Sequence, residues 1–90
     1  MDRVHVIFRG KVQGVWFRAN CQKKALELGL KGWVRNLPDG SVECIAEGPG
    51  KDLEELIDWC RNHQPVAKVT GVDTRWFSYG GEFDDFRIIR

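Results

Sequence analysis

The residues of this chain best suited to chemistry lie in one short stretch, Gly10-Lys11-Val12-Gln13-Gly14-Val15-Trp16-Phe17-Arg18. Two glycines four residues apart break an alternating apolar segment, and an arginine follows where a helical pattern opens. Successive main-chain N–H groups in such a turn can converge into a concavity that holds an anion. The unpaired N–H groups and the positive dipole end of the following helix strengthen it. Gly14 admits backbone conformations that a side chain forbids. Arg18 brings a planar, permanently charged fork that fits two oxygens of a phosphate. Taken by itself, the same pattern also describes a plain strand-to-helix connection with a surface arginine.

A second stretch, Gly29 to Glu43, carries Asn36 just ahead of Leu37-Pro38-Asp39-Gly40. A neutral carboxamide offers two donors and an acceptor. It can hold a water beside an anion without the repulsion a carboxylate would exert. The competing reading is an asparagine that stabilises the turn before Pro38.

Around these residues the pattern defines the elements that must position them. Residues 4–9 alternate, with Val4, Val6 and Phe8 on one face and His5 on the other, and read as a strand. Residues 17–28 read as a helix with Phe17, Cys21, Ala25 and Leu28 in one stripe, ended by Gly29 as a left-handed cap. Residues 31–36 and 41–47 are strands joined by a Pro-Asp-Gly turn, a β-hairpin. After Gly48-Pro49-Gly50 a second helix carries Leu53, Leu56, Ile57 and Cys60. Capping-box spacing of Asp52 and Glu55 puts its start near Asp52, and Pro65 bars continuation past His63. Residues 67–77 and 83–89 are further strands. The order β-α-β-β-α-β plus a C-terminal strand predicts an α+β, ferredoxin-like split βαββαβ sandwich. Its antiparallel sheet carries both helices on one face, in one domain over residues 1–90.

Fourteen basic and thirteen acidic residues leave a net charge of +1, with the basic residues scattered along the chain. Proteins that bind nucleic acid through its phosphates carry a larger, clustered excess, so a small anion is expected and nucleic acid is not. No segment reads as a membrane span or signal peptide, which implies a cytoplasmic protein. Three cysteines without a CxxC pair argue against zinc and against a full disulfide framework. They read as small core residues, with a Cys21–Cys44 bridge left open. His63 and the acidic runs read as surface groups rather than metal ligands. Trp33, Trp59 and Trp76 read as packing residues, and Trp16 either shapes substrate access or packs over the loop. The small size and the lack of an obvious apolar surface patch imply a monomer.

Together the two stretches resemble the acylphosphatase family. The first is similar to its phosphate-loop signature, Gly-x-Val-Gln-Gly-Val-x-Phe-Arg. The second is similar to Gly-Trp-Val-x-Asn-x-x-x-Gly-x-Val-Glu. The resemblance implies hydrolysis of the carboxyl-phosphate bond of a small acyl phosphate, with no cofactor and no metal. It implies that Arg18 binds the phosphate and that Asn36 orients the attacking water. It further implies that the main-chain N–H groups of Gln13, Gly14, Val15, Trp16, Phe17 and Arg18 form the phosphate cradle. Two positions depart from the pattern: Trp16 is bulkier than is usual, and Gln64-Pro65 stands where relatives carry Gly-Pro. The chemistry is consistent with these residues. A carboxylate leaving group, the anion of an acid with a pKa of roughly 4, departs unprotonated. Phosphoryl transfer needs positioning and charge stabilisation more than covalent help. An anion-binding module without turnover, the N-terminal part of a hydrogenase-maturation carbamoyltransferase, and an RNA-binding ferredoxin-like fold are the competing readings. The first has no use for Asn36. The second leads one to expect zinc-finger cysteines and a later domain. The third lacks its aromatic pattern here.

Overall fold

The computed structural model describes residues 1–90. The elements are β1 (Asp2–Lys11), α1 (Phe17–Glu27), β2 (Lys31–Asn36), β3 (Val42–Gly48), α2 (Gly50–Asn62), β4 (Lys68–Ser78) and β5 (Phe86–Ile88). Alternation along the strands sets the layers. Val4, Val6 and Phe8 of β1, Val42, Cys44 and Ala46 of β3 and Val34 of β2 are buried on one face. The helix stripes Phe17, Cys21, Ala25 and Leu53, Leu56, Cys60 close onto them. One cluster of 17 buried apolar residues results. Burying a large side chain of this kind contributes about 1.5–3 kcal/mol.

The sheet order is β4-β1-β3-β2-β5, and β1, β3, β2 and β4 pair antiparallel as the split βαββαβ arrangement requires. The added C-terminal strand is present, and the sequence pattern left its direction open. β5 pairs parallel with β2, Val34 lying opposite Ile88, so the sheet is mixed rather than wholly antiparallel. Apolar alternation assigns a face to a strand but not a direction, and here the β4–β5 connection crosses to the far edge of the sheet.

Other boundaries shift for physical reasons. α2 begins at Gly50, with Pro49 in the cap position and its carbonyl accepting from the N–H groups of Asp52 and Leu53. Asp52 therefore lies in the first turn, where it favours the helix dipole, and forms no capping box. β1 runs on past residue 9 through a bulge between Arg9 and Gly10. Gly10 has φ +120, and a Cβ there would lie 2.2 Å from the Lys68 carbonyl oxygen. Only glycine lets β4 approach so closely. All three cysteines are buried free thiols, and Cys21 meets Cys60 rather than Cys44, at 2.8 Å. Trp76 is 46% exposed, so it is not a core packing residue. Phe77 of β4 and Tyr79 just beyond the strand are exposed as well. No helix is long and apolar enough to cross a membrane.

Candidate active site

The sheet register brings the two signature stretches to one end of the molecule. Phe8 lies opposite Val42, and Val42 opposite Asn36, so the exit of β1 and the last residue of β2 share a rung. Asn36 is in phase with buried Val34, which turns its side chain toward the helix-bearing face. α1 starts on that face at the same end. Phe17, its first residue, packs against Phe8 with the rings tilted by 60° and their centroids 5.1 Å apart. Such a pair adds about 0.5–1.5 kcal/mol beyond area burial. Arg18 follows it directly.

Between β1 and α1, the side chains of Val12, Val15 and Phe17 are buried and anchor the loop. Gly14 takes φ 73 and Trp16 takes φ 63, two left-handed residues that curl the main chain. The N–H groups of Gln13, Gly14, Val15, Trp16, Phe17 and Arg18 donate to no carbonyl and no side chain within the protein. No side chain caps α1 and no acidic residue occupies its first turn. A helix end left open in this way can receive an anion. Arg18 is half-buried and has no carboxylate partner, whereas Arg3, Arg9, Arg35 and Arg87 are each ion-paired. A cavity of ≈ 420 Å³ opens here, and Val12, Gly14, Trp16, Phe17, Arg18 and Ile88 are among its walls.

Asn36 lies at the same end but does not line that cavity. Its Oδ1 is buried without a hydrogen-bond partner. Its Nδ2 donates to no protein group either, and it reaches the surface. The reading of Asn36 as a turn stabiliser therefore fails. The turn is held instead by Asp39, whose Oδ1 accepts from the Ser41 hydroxyl at 2.5 Å and the Ser41 N–H at 2.9 Å. Those bonds, the hydroxyl first, hold the Asp39 carboxyl below its ordinary range.

Gln13 contributes more than its N–H. Its side-chain Nε2 donates to the carbonyls of Leu37 at 2.8 Å and Ser41 at 2.9 Å. The loop is thus clasped to the hairpin next to Asn36. On the other side of α1, buried Gln64 donates long bonds to the Phe17 carbonyl and the Cys21 sulfur, each over 3.3–3.4 Å. Neither contact has a periodicity or charge signature in the sequence. Trp16 is 79% exposed, so it does not pack over the loop.

The remaining reactive groups are out of reach of the site. Burial pushes the thiols of Cys21 and Cys44 well above the ordinary value, which keeps them protonated. No three His, Cys, Asp or Glu side chains cluster in a way that could hold a metal ion. A larger hollow of ≈ 820 Å³ lies on the open face of the sheet, but its Arg3, His5 and Arg9 are paired with carboxylates. Of its basic residues only Arg75 is unpaired.

A ferredoxin-like sandwich with an open amide cradle, a free guanidinium and an unpartnered carboxamide at one end of its sheet defines a class of small anion-handling proteins. Within that class the likeness is specific. The acylphosphatase family model matches residues 4–88. An acylphosphatase of Methylococcus capsulatus is 54% identical over 90 residues, covering 100% of this chain and 98% of that one. The crystal structure of acylphosphatase from Bacillus subtilis superposes with a TM-score of 0.95 at 36% identity, each chain covered over 100%. Full-length HypF aligns with a TM-score of 0.86 at 26% identity, but the match covers 99% of this chain and only 12% of that one. The chain belongs to the acylphosphatase family.

Proposed function

We propose that the protein hydrolyses acyl phosphates by attack of water at phosphorus, in a site made of residues 13–18 and Asn36. Residues 1–90 act as one domain, a monomeric cytoplasmic enzyme whose partner is a small-molecule acyl phosphate. The P–O bond to the incoming water forms and the P–O bond to the acyl oxygen breaks. The acyl phosphate dianion and water thus give carboxylate and dihydrogen phosphate. The open N–H groups of residues 13–18 and the Arg18 fork bind the non-bridging oxygens and take up charge in the transition state. The exposed Nδ2 of Asn36 donates to the oxygen of the water, leaving a lone pair directed at phosphorus. The water's proton passes to a phosphate oxygen, and the carboxylate leaves without an acid.

The observation that carries this reading is the freedom of these groups. The cradle N–H groups, the Arg18 guanidinium and the Asn36 amide have no partner inside the protein, while the groups around them are satisfied. Buried polar groups are normally paired, so the unpaired Asn36 Oδ1 marks an amide kept for something other than packing. Hydrolysis of benzoyl phosphate in ¹⁸O-water, with chelator present, tests the proposal. The label is expected in phosphate, with undiminished turnover. Label in benzoate would place the attack at the acyl carbon and refute it.

A further inference from the structure

The cradle accounts for the phosphate half of the substrate and leaves the acyl half without a site. The cavity beside Arg18 has an apolar side that the phosphate has no use for. Trp16 stands 79% exposed and Ile88 38% exposed, both among its walls, with buried Val12 and Phe17 behind them. Two independent features hold these apolar groups at the surface. Trp16 is the one non-glycine residue with positive φ, a conformation rare and strained for a bulky side chain. Strain of this sort persists where the surrounding structure imposes it, and it gathers at ligand sites. Here it holds the indole off the core, over the rim. Ile88 is supplied by β5. Its parallel pairing with β2, the Ile89 N–H bond to the Val34 carbonyl at 3.0 Å and the Gln22 bond to the Phe86 carbonyl at 3.0 Å fix it in phase with Phe86, facing α1.

We infer that Trp16 and Ile88 form an acyl subsite that selects substrates with aromatic or extended apolar acyl groups over short ones. The inference rests on the hydrolase reading above. Scission at the P–O bond leaves the acyl group as a spectator, so its contacts act on binding and orientation. An aryl group lying between the indole and the isoleucine leaves water and stacks on the indole. An acetyl group offers only a methyl for such contacts. The C-terminal strand thereby gains a task beyond extending the sheet.

The test is the ratio of kcat/KM for benzoyl phosphate to that for acetyl phosphate, measured on wild type, Trp16→Ala and Ile88→Ala. Apolar pocket contacts discriminate by about tenfold or more, so the ratio is expected to fall roughly tenfold in Trp16→Ala and several-fold in Ile88→Ala. Ile88→Val, the milder change, is expected to give a smaller fall in the same direction and covers the case in which Ile88→Ala does not fold. A loss shared equally by both substrates, with the ratio unchanged, reports damage to the cradle and overturns the subsite while the hydrolase reading stands. Failure of the wild type to hydrolyse either substrate overturns both.

Discussion

The side-chain amide of Gln13 spans from the cradle to the hairpin and donates to the Leu37 carbonyl over 2.8 Å. Leu37 is the neighbour of Asn36. This bond, with its twin to Ser41, couples the part of the site that would hold phosphate to the part that would hold water. Gln13 and Leu37 are 24 residues apart in sequence, and the spacing of the two halves depends on this clasp.

Replacing Gln13 with alanine is therefore expected to harm geometry as well as stability. Two lost side-chain hydrogen bonds cost about 1–3 kcal/mol in a denaturant titration. Because misplacement by an ångström can cost orders of magnitude in rate, kcat is expected to fall about tenfold or more with benzoyl phosphate. A normal kcat in a destabilised variant would show the clasp to be structural only.

Arg18→Ala is expected to weaken competitive inhibition by inorganic phosphate and to lower kcat together, since the guanidinium faces the anion in ground and transition states. A loss of about 2–4 kcal/mol in kcat/KM is the scale for a removed charge-stabilising donor. Arg18→Lys is expected to recover little, because a point charge cannot reproduce the fork. Folding stability is expected to hold or rise slightly, as Arg18 has no carboxylate to leave behind.

Much of this was legible in the sequence, and the reasons for the rest are specific. Arg18, Asn36 and the glycines of the loop are read from residue types at fixed spacing, and alternation placed Val4, Val6 and Phe8 inside. The direction of β5 was not legible, because alternation is the same for parallel and antiparallel partners. The start of α2 at Gly50 was missed because Pro49 caps it through its main-chain carbonyl, which has no side-chain signal. The clasp made by Gln13 depends on the register between β1 and β3. So does Glu47, a buried carboxylate that accepts from the N–H groups of Gly80 and Glu82 and ties down the connection to β5. Exposed Trp76 shows that an aromatic on an edge strand is not thereby a core residue.

The open sheet face supplies a pH-dependent contribution to stability. Burial alone would raise the Glu43 carboxyl, but hydrogen bonds from His5 and Arg35, both at 2.7 Å, outweigh it and hold the carboxyl below its ordinary value of 4.5. A carboxyl depressed in the folded state stabilises above its unfolded pKa, and the gain is lost as pH falls through the folded pKa. Glu43→Gln is expected to be about 1 kcal/mol less stable than wild type at pH 7. The gap should close as the pH drops below the ordinary glutamate value. Equal destabilisation at pH 7 and pH 3 would assign the loss to packing instead.

Asn36→Ala gives the most direct measurement, with kcat for benzoyl phosphate and the inhibition constant of inorganic phosphate determined on the same preparation. If Asn36 orients the water, kcat falls by about 10²–10³, the scale for removing one positioned polar group, with phosphate inhibition and thermal unfolding close to wild type. Full turnover in Asn36→Ala would contradict that role.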